Sequence, residues 1–230
     1  MKITWLGHGS FRIEIDHQVL LIDPWLTGNP SFPDDRRAEV LDGVSQILLT
    51  HAHFDHASEI VDVARETGAP VNGIFDLIGA LTEKNGIEGT GFNKGGTVTF
   101  GDVKVTMVNA CHSNSASWSD EPLPVGSECG YMISGEGRTI YFSGDTDIMA
   151  DMDWMGDYHR PDIGILSAGG FFTMDMKRAA YAAKRYFDFK VVIPGHYATF
   201  GALESTADDL RAGLPGVDVR TPAVMETVDL

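Results

Sequence analysis

Apolar residues along this chain follow two periods. In KITWLGHGSFRIEI, Ile3, Trp5, Phe11, Ile13 and Ile15 alternate with other residues, the spacing of strands that bury one face. A turn around Asp16, His17 and Gln18 leads into VLLIDP, and VSQILLT follows as a second apolar run. Unbroken runs of this kind predict strands buried on both faces. SEIVDVARETG then has helical spacing, with Ser58 as the predicted N-cap, Ile60, Val61 and Ala64 on one face, and Gly68 at the stop. VNGIF predicts a strand and DLIGALTEKNG a second helix.

The second half repeats this order. After a glycine-rich stretch, TVTFGDVKVTMVNA predicts a hairpin turning at Gly101-Asp102, and GYMISGEGRTIYFSGD another turning at Gly135-Glu136-Gly137. PDIGILSAG and KVVIPGH predict strands, DMKRAAYAAKRYF and STADDLRAGL helices. Periodicity alone gives a mixed α/β class. Two halves with paired strands and flanking helices are best satisfied by two sheets face to face with helices outside, a four-layer αββα sandwich. No linker interrupts the chain, so residues 1–230 are expected to form a single domain. Long loops remain at Trp25 to Asp35, Ser113 to Glu128 and Gly169 to Thr173. Trp25, Phe32 and Trp118 on two of them either rim a pocket or pack the loops against the body.

Composition narrows the partners. No apolar stretch approaches the roughly 20 residues of a membrane span, and the N-terminus lacks the basic-then-apolar layout of a signal peptide, so a cytoplasmic protein is expected. Cys111 and Cys129 are too few for a disulfide scaffold. A net charge of -16 repels phosphate backbones and anionic lipid, which argues against nucleic acid and membrane partners. A small-molecule substrate is expected, and assembly into a homo-oligomer is left open.

Chemistry concentrates in one heptapeptide, Thr50-His51-Ala52-His53-Phe54-Asp55-His56. It follows a predicted buried strand and holds three of the chain's eight histidines. His51 and His53 are one residue apart, so an extended bend points both rings to the same side. Such a cluster binds metal or shuttles protons. Imidazoles and a carboxylate without an adjacent cysteine suit Zn(II), Fe(II), Mn(II) or Ni(II).

THAHFDH matches the HxHxDH signature of the metallo-β-lactamase superfamily. The chain resembles that family at further points in order: Asp23 in LIDP, His112 in NACHS, Asp145 in YFSGDT and His196 in VVIPGHY. LGHGSF, GDTDIMADM, GGFFTM and IPGHYATF further resemble a group of small metal-dependent hydrolases related to a lactonase of L-ascorbate 6-phosphate.

The resemblance implies the αββα fold and two divalent metal ions, with zinc expected first and Mn, Fe or Ni as alternatives. It implies that His51, His53 and His112 hold one ion, that Asp55, His56 and His196 hold the other, and that Asp145 bridges them. Ions roughly 3.5 to 4 Å apart share a water and lower its pKa to about 7. Asp55 is implied as the catalytic residue that orients the resulting hydroxide. Asp23 either anchors the histidine loop by hydrogen bonds or caps a turn. His8 either touches the site or is a buried structural histidine; Tyr197 either donates to an oxyanion or packs. His17 and His159 are expected at the surface.

Two departures from the pattern concern the substrate. Phe171 in GGFFTM stands where the group often has a polar residue, and HFDHASE lacks the glycine-aspartate that commonly trails the signature. The function implied is hydrolysis of a small ester, lactone or amide. The alternatives are a small-molecule phosphodiesterase and an iron-dependent oxidoreductase on the same fold.

Overall fold

The computed structural model describes residues 1–230. The first half contains β1 (Lys2–Trp5), β2 (Phe11–Ile15), β3 (Gln18–Ile22), α1 (Arg37–Leu41), β4 (Gln46–Leu49), α2 (Phe54–Ala57), α3 (Ile60–Thr67), β5 (Val71–Ile74), α4 (Phe75–Asn85) and β6 (Gly89–Phe92). The second contains β7 (Thr97–Phe100), β8 (Val103–Asn109), β9 (Cys129–Gly135), β10 (Arg138–Phe142), α5 (Met152–His159), β11 (Ile163–Ser167), α6 (Met176–Tyr186), β12 (Val191–Gly195), α7 (Asp208–Gly213), β13 (Asp218–Val219) and β14 (Thr227–Asp229).

These strands make two seven-stranded sheets, β14-β1-β2-β3-β4-β5-β6 and β13-β12-β11-β10-β9-β8-β7. Each begins with antiparallel pairs and continues as parallel strands, from β3 to β6 in one and from β10 to β13 in the other. The runs VLLI and ILL lie in β3 and β4, each buried over its last three residues between parallel or antiparallel neighbours, whereas β2 alternates; the parallel strands β5 and β11 are buried at every position. The inner faces meet at Phe11 and Phe142, edge to face with centroids 5.7 Å apart, and the Tyr131 hydroxyl donates across to the Leu49 carbonyl at 2.6 Å. Helix α4 covers β5 and β6 on one outer face, while α6 covers β11 on the other with α5 and α7 beside it. The expected αββα sandwich is therefore the fold.

Several local expectations change. Ser58 does not cap α3. The backbone carbonyl of His53 accepts from the amides of His56 and Ala57, so the histidine loop runs straight into α2, and Ser58 closes that turn. Helix α3 consequently begins at Ile60 and buries Val63 with Ile60 and Ala64, leaving Val61 half-buried. Gly68 does end it, at φ 69°, in the left-handed conformation glycine tolerates. The hairpin turns at Gly101-Asp102 and at Glu136-Gly137 fall between the strands as predicted. Trp25 and Phe32 are buried, so their loop packs against the body. Trp118 is half-buried and donates its indole N–H to the Ala52 carbonyl at 2.7 Å, tying the Ser113 to Glu128 loop to the histidine loop. Helices α1 and α5 and strands β6, β13 and β14 had no counterpart in the sequence pattern.

Strand direction sets the site's location. β3 and β4 run parallel in one sheet. In the other, β8 runs the same way as β10, both being antiparallel to β9, and β11 and β12 are parallel to β10. Asp23, His51, His112, Asp145 and His196 all follow the C-terminal ends of such strands.

Candidate metal centre

The residues scattered along the sequence converge on one carboxylate oxygen. Asp145 Oδ2 lies 3.0 Å from His196 Nε2, 3.4 Å from His56 Nε2, 3.7 Å from His112 Nε2 and 3.9 Å from His51 Nε2. His51 Nε2 in turn faces His53 Nδ1 at 3.0 Å. Asp55 Oδ2 stands 3.5 Å from His196 Nε2 and 3.8 Å from His56 Nε2. Ligand atoms of His51, His53 and His112 form one compact group, and those of Asp55, His56 and His196 a second, joined by His8.

Asp23 holds both groups from behind. It is fully buried, and its Oδ1 accepts from the Thr50 amide at 2.7 Å while Oδ2 accepts from the Thr50 hydroxyl at 2.6 Å. With its proton committed to Asp23, the Thr50 oxygen is left to accept from His51 Nδ1, 3.0 Å away, and this places the lone pair of His51 on Nε2. His56 Nδ1 donates to the same Asp23 Oδ2 at 2.8 Å, and its Nε2 has no hydrogen-bond partner although buried. One carboxylate thus fixes the tautomer of a histidine in each group, the arrangement metal-bound imidazoles require.

Three of these residues hold backbone conformations unusual for their types. His8, Asp23 and His196 have φ of 53°, 47° and 59°. Left-handed backbone costs of order 1–3 kcal/mol at a non-glycine residue and persists where surrounding contacts impose it. Here the His196 amide donates to the His8 carbonyl at 2.8 Å, and the two imidazoles lie 3.8 Å apart. Two glycines admit this crowding. A Cβ on Gly169 would sit 1.7 Å from the His196 carbonyl oxygen, and one on Gly9 2.7 Å from His56 Cε1.

Protonation divides the two groups. Burial drives the pKa of His51 well below the ordinary histidine value and also lowers His53 and His112, so this trio is neutral at pH 7. Burial pushes His196 and His56 the same way but is outweighed by Asp145 and Asp55 and, for His56, also by Asp23. His196 rises to about 9 and His56 well above its usual value. Against the penalty of burial, these histidines hold Asp55 and Asp145 below the carboxylate range. His8, lowered to about 4 by burial, is neutral and donates from Nε2 to Asp55 Oδ2 at 2.8 Å.

This donor set fits two divalent cations. His51 and His53 direct ring nitrogens at each other, an arrangement satisfied by a cation between them, and the unpartnered His56 nitrogen faces two carboxylates. In the second group a divalent ion would take the place of the two protons held by His56 and His196, leaving the charge balanced. A cleft of about 540 Å³ opens over these atoms, lined by His53, Asp55, His112, Asp145 and His196 and by Ser113, Phe54, Phe172, Phe200 and Ala202.

Of the weaker candidates, His8 is in the site and Tyr197 is not. Tyr197 stacks on Trp5 with centroids 5.0 Å apart and does not line the cleft. His17 is exposed, and His159 is half-buried with its ring edge-on to Tyr158. Sequence reading missed Asn114, whose Oδ1 accepts from the Ala52 amide at 2.8 Å, and Glu128, which accepts from the His112 amide at 3.0 Å. Both lie at polar positions of a long loop, with no period to mark them.

Comparison with known proteins places the chain in a family. Residues 2–196 match the model of a β-lactamase superfamily domain. A UPF0173 metal-dependent hydrolase of Cereibacter sphaeroides is 63% identical over 230 residues, covering 100% of both chains. One from Paracoccus denitrificans is 61% identical over the same span. Among solved structures, Igni18, a metallo hydrolase from the archaeon Ignicoccus hospitalis, has a TM-score of 0.85 at 30% identity, covering 99% of this chain and 97% of its own.

Proposed function

The chain belongs to the β-lactamase superfamily, and from that membership we propose that it is a hydrolase working with two divalent ions, zinc first, to cleave a small ester, lactone or amide. The observation that carries this reading is the placement of Asp145 Oδ2 within 4 Å of four histidine nitrogens from both groups. His51, His53 and His112 would hold one ion, Asp55, His56 and His196 the other, with Asp145 between them. Such ions supply Lewis acidity at the scissile carbonyl and a water whose pKa falls towards about 7, so that hydroxide serves as nucleophile.

The remaining work falls to the protein. Asp55, kept ionised by His56, His196 and His8 and fixed by the His8 hydrogen bond, would orient the attacking hydroxide by accepting its hydrogen bond. Asp23 and Thr50 hold His51 and His56 in the tautomers that present Nε2. Trp118 and Asn114 pin the loop opposite, so the cleft wall carrying Ser113 is fixed.

Elemental analysis of protein purified without added metal, followed by a panel of esters, lactones, amides and phosphodiesters, tests the proposal. Two ions per chain, acyl hydrolysis and reduced metal content in His51→Ala and Asp145→Ala are expected. Fewer than one ion per chain under metal-replete conditions, or full metal content in both variants, overturns it.

A further inference from the structure

The cleft has two unlike surfaces. Its floor is the His and Asp cluster; its wall and rim are Phe54, Phe172, Phe200 and Ala202. Phe172 is 53% exposed and Phe54 46%, large apolar areas to leave in water beside a polar floor. The rings are nevertheless held in place. Trp25, buried behind them, meets Phe54 edge-on with centroids 5.6 Å apart and lies tilted against Phe200 at 5.8 Å. Phe172 is steadied by Phe171, edge to face at 4.7 Å.

The backbone under this pair is strained in a way that packing does not explain. Phe171 has φ 57° although its side chain is 78% exposed. An aromatic residue in the left-handed region is an outlier, and burial of its ring does not compensate. The turn is fixed from within: the Gly170 amide donates to the Met174 carbonyl at 2.8 Å, and the Gly169 carbonyl accepts from the Glu204 amide at 2.8 Å. What this conformation achieves is the presentation of the Phe172 ring at the mouth of the cleft, with Phe171 beside it on an adjoining hollow.

Charge points the same way. No lysine or arginine lines the cleft. An adjoining hollow, reached past His112 and Phe172, has one cation, Arg178, and both oxygens of Asp147 already engage its guanidinium, with Asp175 close by. A substrate anion remote from the scissile bond would find no free cation there, on a protein of net charge -16.

We propose that the cleft selects an uncharged ester or lactone whose alkyl or aryl group lies against Phe54, Phe172 and Phe200, and that it discriminates against substrates bearing a separate phosphate. The proposal rests on the hydrolase reading above and names its substrate class. It separates this chain from the phosphorylated lactones to which the sequence resemblance pointed.

The test uses metal-loaded full-length protein with p-nitrophenyl acetate, butyrate and octanoate, and with δ-gluconolactone against its 6-phosphate. kcat/KM should rise about two- to fourfold per added methylene until the wall is covered, the upper figure corresponding to a fully buried CH₂. The phosphorylated lactone should be the poorer of its pair. In Phe172→Ala and Phe54→Ala the octanoate-to-acetate ratio should fall at least fivefold with metal content unchanged, and Phe172→Leu should restore most of it. A flat chain-length series, or preference for the phosphorylated lactone, overturns the substrate class while leaving the hydrolase reading standing. Loss of self-association in Phe172→Ala without a change in that ratio assigns the rings to an interface between copies and also overturns it. Absence of hydrolysis across the whole panel by protein carrying two ions removes the hydrolase reading, and this proposal with it.

Discussion

Asp145 Oδ2 and His196 Nε2, 3.0 Å apart, join residues that follow two strands of the same sheet, and the same oxygen reaches His51 and His56 from the opposite sheet. Removing this carboxylate leaves histidines of both groups without their shared partner. Asp145→Ala should therefore lose more than the roughly 10–100-fold in activity that loss of an outer hydrogen-bond partner costs. Elemental analysis should find no more than one ion per chain; two ions retained would contradict the bridging role.

Asp23→Asn separates charge from hydrogen bonding. The amide oxygen still accepts from the Thr50 N–H, but its nitrogen cannot accept from His56 Nδ1. His56 must then move its proton to Nε2, the atom offered to a metal. Loss of about 10–100-fold in metal affinity is expected, as for other carboxylates that orient ligating histidines. Competition with a chelator measures it, and wild-type affinity in the folded variant would count against the tautomer argument.

The pH dependence of stability should differ between metal-free and metal-loaded protein. His196, raised to about 9 from 6.5, and His56, also raised, bind protons more tightly in the folded chain than in the unfolded one. Their contribution is complete below about pH 6.5 and is lost as pH rises through 9. Asp55 and Asp145, being depressed, stay ionised throughout this window. The melting temperature of the metal-free protein should fall from pH 6.5 to 9.5. Bound ions in place of those protons should hold the loaded protein steadier, so the gap between the two melting curves should widen. A constant gap would show that protons and ions do not compete for these nitrogens.

Most strands were legible because their signal is local, as alternation in β2 and unbroken apolarity in the VLLI of β3 and the ILL of β4. The candidate ligands were legible for a related reason: polar residues immediately after apolar runs stand out. Their union around Asp145 was carried by family resemblance, since no local pattern places residues from two sheets together. Strand β14 escaped because TVD is short and is completed only by pairing with β1 at the other end of the chain. Ser58 misled because it falls at the end of α2, where its backbone amide donates to the Phe54 carbonyl and its side chain caps nothing. The phenyl wall draws Phe54, Phe172 and Phe200 from three separate segments, and no local period marks them as neighbours.

Gly169 offers a test of how tightly the site is assembled. Adding one methyl group there brings a Cβ to 1.7 Å from the His196 carbonyl oxygen, a backbone atom that cannot rotate away. The strand end carrying His196 or the loop carrying Phe171 and Phe172 must shift. Overpacking of this kind typically costs 1–3 kcal/mol, which lowers the melting temperature of a chain this size by about 2–4 °C for each kcal/mol. Gly201→Ala is the matched control, since its added Cβ meets nothing within 4 Å. Gly169→Ala should melt lower and also bind the second ion more weakly, because His196 moves with its carbonyl, whereas Gly201→Ala should change neither. If the two variants behave alike, the close approach of Gly169 to His196 is not what positions that ligand.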